Sequence, residues 1–419
     1  MKKYFIAFFA LSLGLIAVGC SNQPGKPTPE PTATPKSDYI LALEERYKDY
    51  QEVSYGLDIT LKEDLVSICY STWFNPVVSK TNPVIYNITE ILEQEKKGET
   101  PQWGPEHAFH YWAKPALGYY RSDDKDVIRA HMKQLYEAGV DFIIIDNTNA
   151  QATTWQAGVE NSYWDRMVTQ SCTALLDTIV EMREEGLQTP YVVFWNRVDS
   201  NIGWATPKRV YEEFYTNDKY KDCWVYWDGK PFMAVTRLTN EPGIASVDRF
   251  KYKDNLTLRQ MTVAIFRKGQ QLKQHEWSFL YDGSVPCADD LGFYEHISVY
   301  VARQENYMSN TKSAIGRNGG VTFYNQWKRA FEYHPKVVTI TWWNEWVAQR
   351  FLVDIDGDGK PESHFVDNYN IEYSRDIEPM EGGHGDQYYR WMKEYIEAYK
   401  ARKKCPVLVE KGYEDKIKK

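Results

Sequence analysis

The run from Val140 to Ile145 is apolar without interruption apart from Asp141, and it stops abruptly at Asp146-Asn147-Thr148-Asn149. A strand of this kind has two dry faces, which a parallel sheet covered by helices provides. Immediately upstream, Ser122, Asp123 and Asp124 can start a helix, and Val127, Ile128, His131, Met132 and Leu135 recur on one side of it. Gly139 can end it. The unit recurs. Apolar positions from Tyr163 to Ile179 predict a helix ending near Gly186, followed by a strand from Tyr191 to Trp195. A helix near Lys208 to Tyr215 leads to Trp224-Val225-Tyr226, the turn Asp228-Gly229-Lys230-Pro231, and the strand Phe232 to Val235. Further strands are expected at Thr262 to Phe266, Trp277 to Tyr281 and Ile297 to Ala302. A helix from Val321 to Tyr333 precedes the strand Val337 to Trp343, and a last helix spans Gln387 to Ala401. Leu65 to Trp73 supplies the first strand, an opening helix carries Ile40, Leu43, Tyr47 and Tyr50, and the region up to Leu117 reads as irregular. Alternation of this kind predicts an α/β fold, a (β/α)8 TIM barrel with loop insertions, as one catalytic domain over residues 37–419.

The chain ahead of that domain has a different composition. Lys2 and Lys3 precede an apolar run from Tyr4 to Val18, so residues 1–19 read as a signal peptide. Cys20 follows small residues at the end of this run and is the expected lipid attachment site of a bacterial lipoprotein, periplasmic or at the cell surface. Residues 20–36 are rich in proline and threonine and predict an extended tether. The formal charge of −8 becomes −10 without Lys2 and Lys3, and no basic run occurs. Nucleic acid is therefore excluded as the expected partner, and the membrane is reached through the lipid alone. Beyond Cys20 the cysteines at 69, 172, 223, 287 and 405 follow no zinc or disulfide spacing. Trp, Tyr and Phe number 15, 31 and 17, an abundance that favours a glycan as ligand because aromatic faces stack on sugar rings.

In such a barrel the site lies where strands end. Glu345, flanked by Trp343, Asn344 and Trp346, and Asp146 are the candidate catalytic carboxyls. Glycosidic cleavage needs one group to protonate the leaving oxygen and another to attack or to activate water. Tyr120, Arg121, Asn147, Asn196, Trp343, Asn344, Glu372 and Asp376 are candidate substrate contacts. Asp354, Asp356 and Asp358 stand at alternate positions before a glycine and, with Glu362 or Asp367, could hold a structural calcium. The twelfth position of that loop is Phe365 in place of glutamate, so a complete EF-hand is not expected. His107 and His110 lack an acidic third ligand, which argues against a zinc hydrolase. No cofactor is required for the chemistry. The expected function is hydrolysis of a poly- or oligosaccharide, and the alternative is a non-catalytic glycan-binding lipoprotein on a barrel scaffold.

The run Val338-Thr339-Ile340-Thr341-Trp342-Trp343-Asn344-Glu345-Trp346, with Trp227-Asp228-Gly229-Lys230-Pro231 and Gly139-Val140-Asp141 leading into a strand, resembles glycoside hydrolase families 71 and 99 over about residues 120 to 380. The resemblance implies a TIM barrel, a carbohydrate substrate and a catalytic role for Glu345. In family 99, the endo-acting α-mannosidases, a second catalytic glutamate follows three residues later; here that position is Ala348. The proton donor must then come from elsewhere, and Asp146, Glu372, Asp376 and Glu378 are the candidates. The segment from Phe365 to Pro379 comes after the last strand closely enough to fold over its end, as part of the site or as a buried ion network.

Overall fold

The apolar runs pair side by side in the order in which they occur in the chain. In the computed structural model, which describes residues 36–75, 84–150, 164–262, 271–280, 285–304, 308–309, 314–354 and 357–417, the strands are β1 (Leu65–Tyr70), β2 (Phe142–Asn147), β3 (Tyr191–Asn196), β4 (Lys230–Val235), β5 (Thr257–Thr262), β6 (Glu276–Ser278), β7 (Tyr294–Tyr300) and β8 (Val337–Thr341). The ladder runs parallel from β1 through β6, and β7 pairs with β8, which pairs with β1. Among the described residues no backbone ladder joins β6 to β7, so the expected barrel is not closed by hydrogen bonds. Side chains meet across that seam: Trp277 stacks on His296 at 4.3 Å, its indole N–H donates to Glu295 at 2.7 Å, and the Ser278 and Ser298 hydroxyls lie 3.4 Å apart.

Helices cover part of the outside. Lys125–Glu137 connects β1 to β2, Gln170–Glu184 connects β2 to β3, Val321–Tyr333 precedes β8, and Gln387–Lys400 comes after it. The helix Lys125–Glu137 is capped by Asp124, whose carboxylate accepts the N–H groups of Asp126 and Val127. Ile143 and Ile145 pack against the helix layer, whereas Phe142 and Ile144 face the opposite side of the sheet with Leu65, Cys69, Val193 and Trp195. Burying one such side chain stabilises the fold by about 1.5–3 kcal/mol. The same alternation sets which way the polar residues at the strand ends point. Asp146 continues the inward set of Phe142 and Ile144, and Asn147 continues the outward one.

The structure departs from the sequence expectation in two places. β5 lies at Thr257–Thr262, upstream of the expected Thr262 to Phe266, most of which falls outside the described residues. Its polar side chains hid it: Arg259 is bound to Glu295 at 2.8 Å, and Gln260 donates to Glu276 at 3.2 Å. The supposedly irregular region before Leu117 contributes to a second, five-stranded sheet. In that sheet Tyr86–Asn87, Phe109–Tyr111, Val347–Val353, Glu362–Val366 and Met308–Ser309 lie side by side. The signal, Cys20 and all but the end of the tether lie outside the described residues. Cys69, Cys172, Cys223, Cys287 and Cys405 are free thiols. Among the described residues no helix is long and apolar enough to cross a membrane.

Candidate active site

At the C-terminal ends of the strands lies a cleft of about 290 Å³ whose walls include Trp73, Asp146, Trp195, Gln304, Trp342, Glu345, Asp367 and Arg375. Asp146 and Glu345, read from separate strand ends, thus open into one space. Trp195, Phe279 and Trp342 form an aromatic wall, with Trp195 and Phe279 4.9 Å apart and Phe279 set edge-on to Trp342 at 5.5 Å. The scaffold takes up two of the indole N–H groups, since Trp195 donates to the Met261 carbonyl at 3.0 Å and Trp342 to the Ser71 hydroxyl at 3.0 Å.

Glu345 is clamped at its backbone and paired at its side chain. Its N–H donates to Asp376, and its carbonyl accepts from the Asn368 amide. Asp376, fully buried, also accepts the Trp112 indole N–H at 2.5 Å, and Trp112 stacks on Trp346 at 4.7 Å. The Arg375 guanidinium lies 2.7 Å from Glu345 Oε2 and 3.3 Å from Asp367 Oδ1, donates to Gln304, and stands 5.0 Å above the Trp342 ring. The 2.7 Å approach of the guanidinium to Oε2 is the ion pair that holds the Glu345 side chain.

Asp146, Glu345 and Asp367 share one guanidinium, that of Arg375, and Asp376 lies between it and Arg317, so the buried carboxyls outnumber the cations and cannot all ionise. Burial pushes Asp146 up to about 6, against hydrogen bonds from Thr148 that favour its charged form. Burial raises Glu345, helped by the neighbouring Asp367, Asp376 and Asp146, while Arg375 opposes the rise. Burial also raises Asp376, to about 7, and Asp367. The cation contacts Glu345 and Asp367 directly. Asp146 has no such partner among the described residues, and burial favours its protonated form in mildly acid solution.

The other sequence candidates go elsewhere. Asn147 and Asn196 fall on the outward side of β2 and β3, with the Asn147 amide 3.5 Å from Asn196 Oδ1. On the strand-end segment after β8 the alternation slips: Trp342 faces the cleft and Trp343 packs among the helix-layer residues. The Asn344 side chain bridges to the Ser71 backbone at 2.8 and 3.1 Å. Tyr120 donates to Glu378 at 2.6 Å, and Glu378 is held further by the Trp346 indole at 2.6 Å and by His131 at 2.9 Å. Glu378 is thereby removed as a proton-donor candidate. Arg121 pairs with Asp123 at 2.9 Å, and Glu372 accepts the Asn318 N–H at 2.9 Å; neither lines the cleft. Asp376 acts from behind Glu345 and does not line it either.

In the acidic turn Asp354 accepts N–H groups from Gly357, Asp358 and Gly359, and Asp358 accepts that of Lys360. The turn joins two strands of the second sheet, Glu362 lies 3.8 Å from His364, and Asp356 is outside the described residues. No cluster of three or more metal-ligating side chains occurs among the described residues. His107 and His110 sit beside and within the second sheet, where both His110 ring nitrogens face backbone carbonyls, those of Ala108 and Trp103.

Sequence reasoning gave no site role to Gln304, and it reached Asp367 and Arg375 only as members of the segment from Phe365 to Pro379, with Asp367 also a possible calcium ligand. The available signal was the charged segment after the last strand, which does fold over the end of β8.

No protein-family model matches the chain, and no curated protein matches its sequence. Among solved structures it is similar to the GH99 endo-alpha-mannosidase from Bacteroides thetaiotaomicron, at 17% identity over 81% of this chain and 99% of that one, with a TM-score of 0.48. A second structure of that enzyme, in complex with bis-tris-propane, gives 16% identity, coverage of 81% and 98%, and a TM-score of 0.44. A glycoside hydrolase-like protein gives 12% identity, coverage of 84% and 99%, and a TM-score of 0.39. The likeness is distant.

Proposed function

We propose that the chain is a glycoside hydrolase acting on a poly- or oligosaccharide through Asp146 and Glu345. The observation that carries this reading is the opening of both carboxyls, from different strand ends, into one aromatic-walled cleft. Asp146, pushed up to about 6 with no described cation in contact, donates the proton to the leaving oxygen. Glu345, whose charged form the adjacent Arg375 favours against burial, attacks the sugar or activates water. Asp376 and Asn368 fix its backbone, so the carboxylate is presented by a rigid support. The aromatic wall excludes water and receives the apolar face of a sugar ring. From the sequence alone we extend the reading to a lipid anchor at Cys20 and a periplasmic or cell-surface location.

One observation favours a second reading, a glycan-binding protein without turnover: the Glu345 charge is already compensated by Arg375, and Ala348 stands in the cleft wall. A polysaccharide panel with reducing-end release as the readout separates the two. The hydrolase releases product from one member of the panel, and Glu345→Gln does not. Binding without release from the unaltered chain favours the second reading, and equal release from both proteins refutes the role of Glu345.

A further inference from the structure

Among the described residues three tryptophans line the cleft, and they differ in one respect. The N–H groups of Trp195 and Trp342 are bonded to the scaffold, whereas Trp73 Nε1 is buried with no acceptor among the described residues. The Trp73 residue as a whole is 9% exposed. A buried indole N–H without a partner is costly, and such orphans in a native fold call for a missing partner. In the same cleft wall Arg375 Nε is a second buried donor without an acceptor among the described residues. The cleft therefore offers two unmatched donors, Trp73 Nε1 and Arg375 Nε, to the oxygens of a ring bearing hydroxyl groups. A hydroxyl oxygen accepts from Trp73.

The charges restrict the ring further. Asp146, Glu345 and Asp367 line the cleft, and the cation among them, Arg375, is already engaged by Glu345, Asp367 and Gln304. A carboxylate or sulfate on the ligand would meet three carboxyl groups set against one guanidinium in the described wall.

We infer that Trp73 is a specificity-determining residue whose N–H binds the ligand, and that the ligand is a sugar unit carrying hydroxyls and no anionic group. This rests on the glycan reading above, but requires binding only and not turnover.

The test uses the full chain, titrated calorimetrically with two sets of oligosaccharides. One set is neutral, from mannan, glucan, galactan and xylan; the other is anionic, from polygalacturonate and sulfated galactan. At least one neutral oligomer binds, the anionic set binds at least about tenfold more weakly, and Trp73→Phe raises the Kd of the neutral ligand about 5- to 10-fold, the loss of one hydrogen bond. Because the N–H has no partner among the described residues, the same variant keeps or raises the melting temperature of the free protein, a result that a structural role would not give. An unchanged Kd in Trp73→Phe, or an anionic oligomer bound as tightly as the best neutral one, overturns the inference and leaves the glycan reading standing. No binding by either set overturns both. Binding without product release defeats only the catalytic reading.

Discussion

Replacing Arg375 by methionine keeps most of the apolar stem against Trp342 and removes the guanidinium that Glu345 and Asp367 share. Both carboxyls then sit in a buried site with no counter-charge. Breaking a buried pair on one side costs about 3–5 kcal/mol. A domain of this size loses roughly 2 °C of melting temperature per kcal/mol, so a fall of about 6–10 °C is expected near pH 8. The sign of the pH dependence comes from linkage. Burial already raises both groups, and Arg375 is the largest influence acting against it, so its removal raises them further. Below the ordinary carboxyl range, about pH 4, both are neutral in folded and unfolded chains and the penalty vanishes. As the pH rises towards the elevated folded values, the folded state holds protons that the unfolded state has lost, and stability falls by about 1.4 kcal/mol per pH unit per group. Thermal unfolding of Arg375→Met and the unaltered chain at pH 5 and pH 8 measures this directly. The gap in melting temperature should at least double between the two. A gap that is constant with pH, or absent, would show that the guanidinium does not compensate these carboxyls.

Three further outcomes rest on the same geometry. Glu345→Gln lowers turnover at least about 10³-fold while ligand still binds, as calorimetry beside a product assay will show; comparable losses of both contradict the assignment. If Asp146 is the proton donor it must be protonated, so activity falls as pH rises through about 6, and Asp146→Asn removes that limb together with most of the rate; a limb that persists in the variant rules Asp146 out. Asp376→Asn places amide hydrogens toward a donor already facing the site, from either the Glu345 N–H or the Trp112 indole, and costs about 1–3 kcal/mol of stability in unfolding measurements. No loss there would mean that the clamp on Glu345 is dispensable.

What could be read in advance was governed by strand periodicity. β2, β3 and β8 are apolar on both faces and announce themselves, and the rule that chemistry collects at strand ends led to Asp146 and Glu345. The same rule overreached at Asn147 and Asn196. Parity assigns these to the outer side once the inward set containing Phe142, Ile144 and Asp146 is identified, a distinction that needs the orientation of the sheet as well as its existence. Trp342 and Trp343 show the limit of parity, since the alternation slips between Thr341 and Trp342 and a strict count would put the wrong tryptophan in the cleft. β5 was misplaced because Arg259 and Gln260 are polar residues neutralised by partners remote in sequence. Arg375 joins Glu345 across 30 residues of chain and Gln304 across 71, and no local pattern encodes such pairings. The second sheet, built from two-, three-, five- and seven-residue strands, was too fragmentary in sequence for an apolar period to emerge.

The central claim is that Asp146 delivers a proton to a bond held against Glu345. A crystal structure of Glu345→Gln with a bound oligosaccharide from the responsive member of the panel tests it most directly. The account predicts a glycosidic oxygen within about 3 Å of an Asp146 carboxyl oxygen, with the adjoining ring beside residue 345. A sugar seated elsewhere, or an Asp146 carboxyl directed away from every glycosidic oxygen, would contradict it.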